Sequence, residues 1–413
     1  MASAVLPLAL SLSLTLSANA PVYALIVANN QSNDASVADL KFADDDGARY
    51  FTLFSPLAAD VRMLSVLDQQ TQTRFPGLAE KTRPPSRREF LDAFNALNAK
   101  MKADRARGDS PVFFFVFTGH GKRGAAGEGS ISLMGEAFTR TELFKEIIAP
   151  LNASTSHLII DACDSYFFVN QRGSVPVAPS QAAVVSQFLE ERTLAKYPDV
   201  GVILSTSSQQ ESHEWAAIEA GVFSHEVVSA LLGAADVNSD GRVEYSELKA
   251  FVAAANERVV DPRGKVAMFA RPPARDGRAP LADLTQKSKS AYLFLPSQLE
   301  GRHWLEDGRG VRFADFNKES ERPLLLALPT DRELFLRSST QEAIITVRPA
   351  GRVVDAASLA WKPQGVAARG GSLDENFRQH LFERPFGARF YGGYVSSSGE
   401  LAVAPPAEAD LSP

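Results

Sequence analysis

Val112-Phe113-Phe114-Phe115-Val116-Phe117-Thr118-Gly119-His120-Gly121 is the stretch that settles how the rest of the chain is read. Six consecutive apolar residues, four of them phenylalanine, leave no polar alternation for a wet face. They predict a strand buried on both sides, the pattern of a parallel sheet covered by helices. The run stops in Thr-Gly-His-Gly, so an imidazole stands just past a strand end. A second apolar run, His157-Leu158-Ile159-Ile160, ends in Asp161-Ala162-Cys163, and Cys163 follows His120 by 43 residues.

Outward from these two runs the texture repeats. Tyr23-Ala24-Leu25-Ile26-Val27-Ala28, residues 61–66 and Val200-Gly201-Val202-Ile203-Leu204 predict further strands. Residues 43–57, 86–102, 139–148 and 181–196 predict the helices between them. Ser86 is placed to cap its helix, with Glu89 at capping-box spacing. Strands alternating with helices give an α/β class with a mostly parallel sheet flanked by helices. In such sheets ligands bind beyond the carboxyl ends of the strands, where His120 and Cys163 both lie. Past residue 290 short apolar runs punctuated by turn residues predict a smaller all-β C-terminal domain. Trp304 and Trp361 are expected in its core.

The chain has 413 residues with 45% hydrophobic and 22% charged content, an ordinary globular balance. The formal net charge of −6, without a long basic run, argues against nucleic acid as a partner. No later stretch is long and apolar enough for a transmembrane segment. Residues 1–20 differ: an apolar run followed by Ser17-Ala18-Asn19-Ala20 reads as a secretory signal peptide, which implies an exported protein, periplasmic or secreted. Cys163 is the sole cysteine, so no internal disulfide exists and the thiol is either a small buried hydrophobe or a reactive group. The organisation expected is a signal peptide at 1–20, an α/β domain at 21–270, a linker at 271–290, a β-rich domain at 291–404 and a disordered tail at 405–413.

An imidazole near a thiol assists formation of the thiolate nucleophile. Glycines on both sides of His120 allow a sharp turn and close approach of a substrate. Backbone N–H groups at Gly121 and Cys163 are candidates to hold a developing oxyanion. The pair strand–Gly-His-Gly and strand–Asp-x-Cys, in that order, resembles the caspase-like cysteine peptidases: caspases, metacaspases, paracaspases and bacterial relatives. The resemblance covers about residues 22–260 and implies a caspase-like fold with His120 and Cys163 as a catalytic dyad.

Two carboxylates carry the specificity reading. By the metacaspase resemblance, Asp46 in Asp44-Asp45-Asp46 and Asp161, two residues before the cysteine, line the primary substrate-binding pocket. Paired carboxylates favour Arg or Lys at the cleaved bond. The other reading of the acidic run is a helix start, where negative charge complements the macrodipole. Gln171-Arg172-Gly173 is a candidate self-processing site by the same resemblance. Ser212-His213-Glu214-Trp215 either lines the cleft or packs as a loop. His157 and His225 read as structural.

Asp236-Val237-Asn238-Ser239-Asp240-Gly241-Arg242-Val243-Glu244-Tyr245-Ser246-Glu247 has the spacing of an EF-hand calcium loop. Asp236, Asn238 and Asp240 supply oxygens at positions 1, 3 and 5, Arg242 its backbone carbonyl at 7, and Glu247 two oxygens at 12, with Gly241 at the turn. Predicted helices flank it. Ca²⁺ is therefore the expected cofactor, as a structural clamp.

The function expected is a cysteine endopeptidase that forms an acyl-enzyme on peptide or protein substrates, with the C-terminal β domain positioning substrates or binding an envelope partner. Asp164 and Tyr166 beside the nucleophile support a second reading, a catalytically inactive, calcium-stabilised binding protein on the same fold. A carboxylate there opposes the thiolate.

Overall fold

The structure, a computed structural model, describes residues 20–124, 128–162, 194–205, 214–261, 264–286, 289–319, 322–329, 332–346, 349–364 and 372–403. Cys163, Arg172 and His213, most of the predicted 181–196 helix, the signal segment and the 405–413 tail lie outside these.

A seven-stranded sheet forms the centre. Its strands are β1 (Val22–Asn29), β2 (Asp60–Leu64), β3 (Thr82–Arg83), β4 (Val112–Gly119), β5 (Thr155–Asp161), β6 (Val200–Ser205) and β7 (Met268–Arg271). The spatial order is β7-β6-β5-β4-β1-β2-β3, and all neighbours run parallel except β7, which runs antiparallel to β6. The phenylalanine run is the central strand, as its continuous apolarity requires.

The period-two pleat divides these strands between two cores. Tyr23, Leu25, Val27, Phe113, Phe115, Phe117, Leu158 and Ile160 face one side. There they pack on Phe90, Phe94, Leu97 and Met101 of helix α2 (Arg87–Ala106). Ala24, Ile26, Ala28, Phe114, Val116, Ile159 and Ile203 face the other side. That side is covered by α1 (Ala43–Phe54), α3 (Val222–Ser229) and α4 (Tyr245–Asn256). Each fully buried phenylalanine contributes about 2–3 kcal/mol of transfer free energy, so the two layers strongly fix the register of β4.

Helix ends follow local chemistry in part. Ser86 caps α2 through its hydroxyl, which accepts the Glu89 N–H at 3.3 Å. A reciprocal capping box forms instead at Thr139 and Glu142. The predicted 139–148 helix is a single α-turn that widens into a π-helical segment, Leu143–Ile148.

Beyond the central sheet lie a three-stranded sheet (Leu324–Leu328, Ala291–Leu295, Val353–Asp355) and a five-stranded sheet (Arg312–Lys318, Gly301–Asp307, Leu334–Arg337, Gln341–Ile345, Trp361–Pro363). Two helices close the described chain, Ser372–His380 and Ala388–Ser398, in a region whose texture predicts strands. Phe313, Phe316, Leu325 and Leu326 belong to the same apolar cluster as Val227, Leu231 and Phe251. The C-terminal sheets therefore share their core with the helices of the central unit. Trp304 is only partly buried, because the pleat turns His303 and Leu305 inward and Trp304 out.

Candidate active site

Strand register assembles the site. Thr118 of β4 pairs with Asp161 of β5, so both strands end at one level of the sheet. His120 is the second residue after Thr118; Cys163 is the second after Asp161 in sequence and lies outside the described residues. Gly119 has φ +156°, and a Cβ there would stand 2.8 Å from the Asn29 carbonyl, so the chain leaves β4 by a path open to glycine alone. Gly121, itself buried, begins the short and otherwise exposed strand Gly121–Arg123.

His120 is half-buried, and its Nε2 has no hydrogen-bond partner among the described residues. Burial depresses its pKa below the ordinary histidine value; the charges of Asp39 and Glu214 and the backbone of Asn30 and Ala38 pull the other way. Burial thus favours the neutral ring, whose Nε2, unpaired among the described residues, is placed to accept a proton.

The acidic run divides its labour. Asp44 accepts from Asn30 Nδ2 at 2.7 Å and the Asp68 N–H at 2.9 Å. Asp45 accepts from the Thr71 hydroxyl at 3.0 Å. These two tie α1 to the loop after β1 and to the short helix Gln69–Arg74 with its cap Asp68. Asp46 alone turns toward Asp161: its Oδ2 accepts the Gly221 N–H at 2.9 Å, and its Oδ1 has no hydrogen bond among the described residues and lies 3.8 Å from Arg49 Nη1. Asp161 falls on the α1 and α3 side of the sheet because it is two residues beyond Ile159, and it accepts the Ser224 hydroxyl at 2.7 Å.

Gly221 sits between the two carboxylates. A Cβ on it would stand 2.7 Å from Asp46 Oδ2 and 3.3 Å from Asp161 Oδ2, so any larger residue displaces one of them. Burial raises both acids, and each repels the other's charge or that of a nearby carboxylate. Asp161 is pushed up to about 6, and Asp46 lies well above its usual range although Arg49 draws it down. The Tyr50 hydroxyl is buried beside them, without a hydrogen-bond partner within the usual distance. The two acids are thus buried close together, with Arg49 as the nearby cation on the Asp46 side.

Gly221, Ser224 and Arg49 carry no local sequence signal, and Glu214 stands only within the 212–215 segment without a role of its own. Only their long-range contacts single them out. Glu214 Oε1 accepts the N–H groups of Lys41 and Phe42 at 2.8 and 3.0 Å, capping the start of α1 where no local side chain does so. Trp215 is 1% exposed and packs, so it does not line a cleft. His157 is buried, stacked on Phe114 and joined to the Tyr245 hydroxyl through Nδ1 at 2.7 Å, a structural histidine.

The caspase-domain profile matches residues 22–274. The chain belongs to the caspase-domain family. Its peptidase-type function and its peptide or protein substrates follow from that membership. No curated protein matches the chain. Among solved structures it is similar to a protein of Geobacter sulfurreducens, at 14% identity and TM-score 0.36 over 64% of this chain and 99% of that one. It is also similar to the Drosophila initiator caspase Dronc, at 11% identity and TM-score 0.35 over 62% and 81%. For the Arg-specific cysteine proteinase gingipain R the values are 14% and 0.30 over 84% and 67%.

The 236–247 loop of this caspase-domain protein is closed by its own ligand candidates. Asp236 accepts the N–H groups of Asp240 and Gly241 at 3.2 and 2.9 Å. Asn238 Oδ1 accepts the Asp240 N–H at 3.2 Å, and Asp240 accepts the Arg242 N–H at 2.8 Å. Glu247 reaches back to the N–H groups of Val237 and Glu244 at 3.0 and 2.8 Å. Ser239 and Gly241 take positive φ, +58° and +77°, as the tight turn needs. Arg242 and Val243 pair with Asp283 and Ala282. Among the described residues no three His, Cys, Asp or Glu side chains gather into a metal cluster. The donor set of two aspartates, an amide, a carbonyl and a glutamate is all oxygen, which fits a hard cation. Among the described residues no helix is long and apolar enough to cross a membrane.

Proposed function

We propose that this caspase-domain protein is a cysteine endopeptidase that cleaves after Arg or Lys through a His120–Cys163 dyad. The observation that carries the specificity is the convergence of the Asp46 and Asp161 carboxylates on Gly221. A guanidinium or ammonium entering there neutralises both acids and supplies the hydrogen bond that Asp46 Oδ1 lacks.

In the mechanism, neutral His120 takes the thiol proton of Cys163, and the thiolate attacks the scissile carbonyl carbon. The carbonyl π electrons move to oxygen, where the backbone N–H groups of Gly121 and Cys163 stabilise the oxyanion. Collapse expels the amine, which leaves with the proton from His120, and the acyl group remains on sulfur. Water, deprotonated by His120, then adds to the thioester, and loss of the thiolate releases the carboxylic acid.

The 236–247 loop is proposed to hold Ca²⁺ through Asp236, Asn238, Asp240, the Arg242 carbonyl and Glu247. Bound there, the ion would clamp α4 to the segment that follows α3. The protein is proposed to be exported, and the sheets beyond residue 290 to meet substrate or an envelope partner.

The test is a fluorogenic panel with Arg, Lys, Asp or Ala before the cleaved bond, in millimolar calcium, on protein lacking residues 1–20 and on its Cys163→Ala variant. Release after Arg or Lys that vanishes in the variant is expected. Equal background from both would overturn the peptidase reading and leave the binding protein.

A further inference from the structure

The wall of the acidic pocket is a hairpin, Glu214–Trp215 paired with Ala220–Gly221, and its supports come both from α1 and from residues beyond the family match. One guanidinium gathers three segments. Arg49, 1% exposed and one helical turn after Asp46, donates from Nη1 to the Glu219 carbonyl at 2.8 Å and from Nη2 to the Ile218 carbonyl at 2.7 Å. From Nε it reaches the Arg312 carbonyl at 3.2 Å. Glu219 takes φ +50°, a left-handed conformation costly for a residue with a Cβ. Arg49 therefore holds the hairpin tip in a strained pose by its carbonyls, and ties it to strand Arg312–Lys318.

That strand grips the hairpin and the following helix from behind. The Arg312 guanidinium lies 5.3 Å from the centre of the Trp215 ring. It pairs through two nitrogens with Asp315, Nε at 2.5 Å from Oδ2. Asp315 Oδ2 also meets His225 Nε2 at 2.8 Å, one turn along α3 from Gly221. From the closing helices, Phe377 packs on Trp215 at 5.7 Å and Asp374 accepts the Ala217 N–H at 3.1 Å. On its opposite side the same hairpin presents the Gly221 N–H to Asp46 and Glu214 to the start of α1.

We propose that Arg49 and Arg312 are positioning residues for the specificity pocket, through which the C-terminal sheets set the hairpin and thereby the affinity for a basic side chain. The inference rests on the basic-specificity reading of Asp46 and Asp161. The C-terminal unit is then a working part of the peptidase, because the atoms that aim Asp46 are held from strand Arg312–Lys318.

The experiment compares the full chain with Arg312→Lys and with Asp374→Ala, a surface change that removes one hydrogen bond to the hairpin and no buried charge. Two readouts are taken: KM and kcat for Arg-ending peptides per titrated thiol, and hydrogen–deuterium exchange of peptides spanning 214–224. Arg312→Lys should raise KM about tenfold with kcat nearly unchanged, and Asp374→Ala should raise it by less. Exchange over 214–224 should quicken in both variants while β1 and β4 stay protected. Unchanged KM and unchanged exchange in both overturn the proposal, and a loss in kcat alone reduces these residues to general stability. If Arg312→Lys does not fold, Asp374→Ala decides. If the parent chain cleaves nothing after Arg or Lys, the proposed function falls, whereas the exchange readout still decides whether the C-terminal unit holds the hairpin.

Discussion

Three neighbouring aspartates in one helical turn do three different things, and only their partners separate them. Asp44 and Asp45 are spent on Asn30, Asp68 and Thr71, and Asp46 is left facing Asp161. Asp46→Asn should therefore raise KM for Arg-ending peptides by roughly ten- to a hundredfold, the worth of one charge-assisted contact. Asp45→Asn should leave that KM in place. Steady-state kinetics on both variants separate the roles. The pH dependence follows from both acids: Asp46 lies well above its usual range, and Asp161 has its folded pKa raised to about 6. Below that value its carboxyl is neutral and offers a cation no charge; above it the charge is present. The preference for Arg over Ala at the cleaved bond should climb as pH rises through about 6. Taking the ratio of the two substrates cancels the titration of the dyad, which both share.

At the scale of elements, α3 and the segment after it carry the most varied load. The helix opens against the two carboxylates, continues with buried His225, and passes through Gly233 into the 236–247 loop. Gly233 has φ +117°, and a Cβ there would collide with the Leu325 carbonyl of the C-terminal sheet. Gly233→Ala should cost about 1–3 kcal/mol, visible as a lower urea midpoint with an unchanged slope. The loop beyond is expected to bind calcium as a clamp. At a free concentration about a hundred times its Kd, the ion adds ~2.7 kcal/mol to stability. Thermal unfolding with calcium and with chelator should show that gap, and Glu247→Gln should abolish it. Glu247 also caps the start of α4, so the variant is expected to melt lower even in chelator.

For the molecule as a whole, the two sheet systems are one folding unit in their packing. Removing the chain after residue 290 would strip Phe313, Phe316, Leu325 and Leu326 from Val227, Leu231 and Phe251, and unpin the Arg49 and His225 partners. The truncated chain should lose near-UV circular dichroism and cooperative unfolding instead of behaving as a free peptidase domain. Asp315→Ala should itself cost about 3–5 kcal/mol in denaturant unfolding, because it leaves Arg312 buried beside His225 without its counter-charge.

The sequence by itself determined what short-range rules govern: the buried central strand from its unbroken apolar run, its neighbours by the same texture, the helix cap at Ser86 and the oxygen spacing of the 236–247 loop. It also placed His120 just beyond a strand end, a feature within a few residues of a strand signal, whereas Asp46 and Asp161 were marked by the family resemblance. Tertiary structure alone decided that Asp44 and Asp45 are tied to other partners, that Glu214 caps α1, and that Arg49 and Arg312 stand behind the hairpin. It also turned Trp304 outward and ended the chain in helices where strands were expected. The physical reason is distance along the chain. Asp46 meets Gly221 across 175 residues, and Arg49 meets Arg312 across 263. No local pattern encodes a partner that far away; it is chosen when the two faces of the sheet are packed.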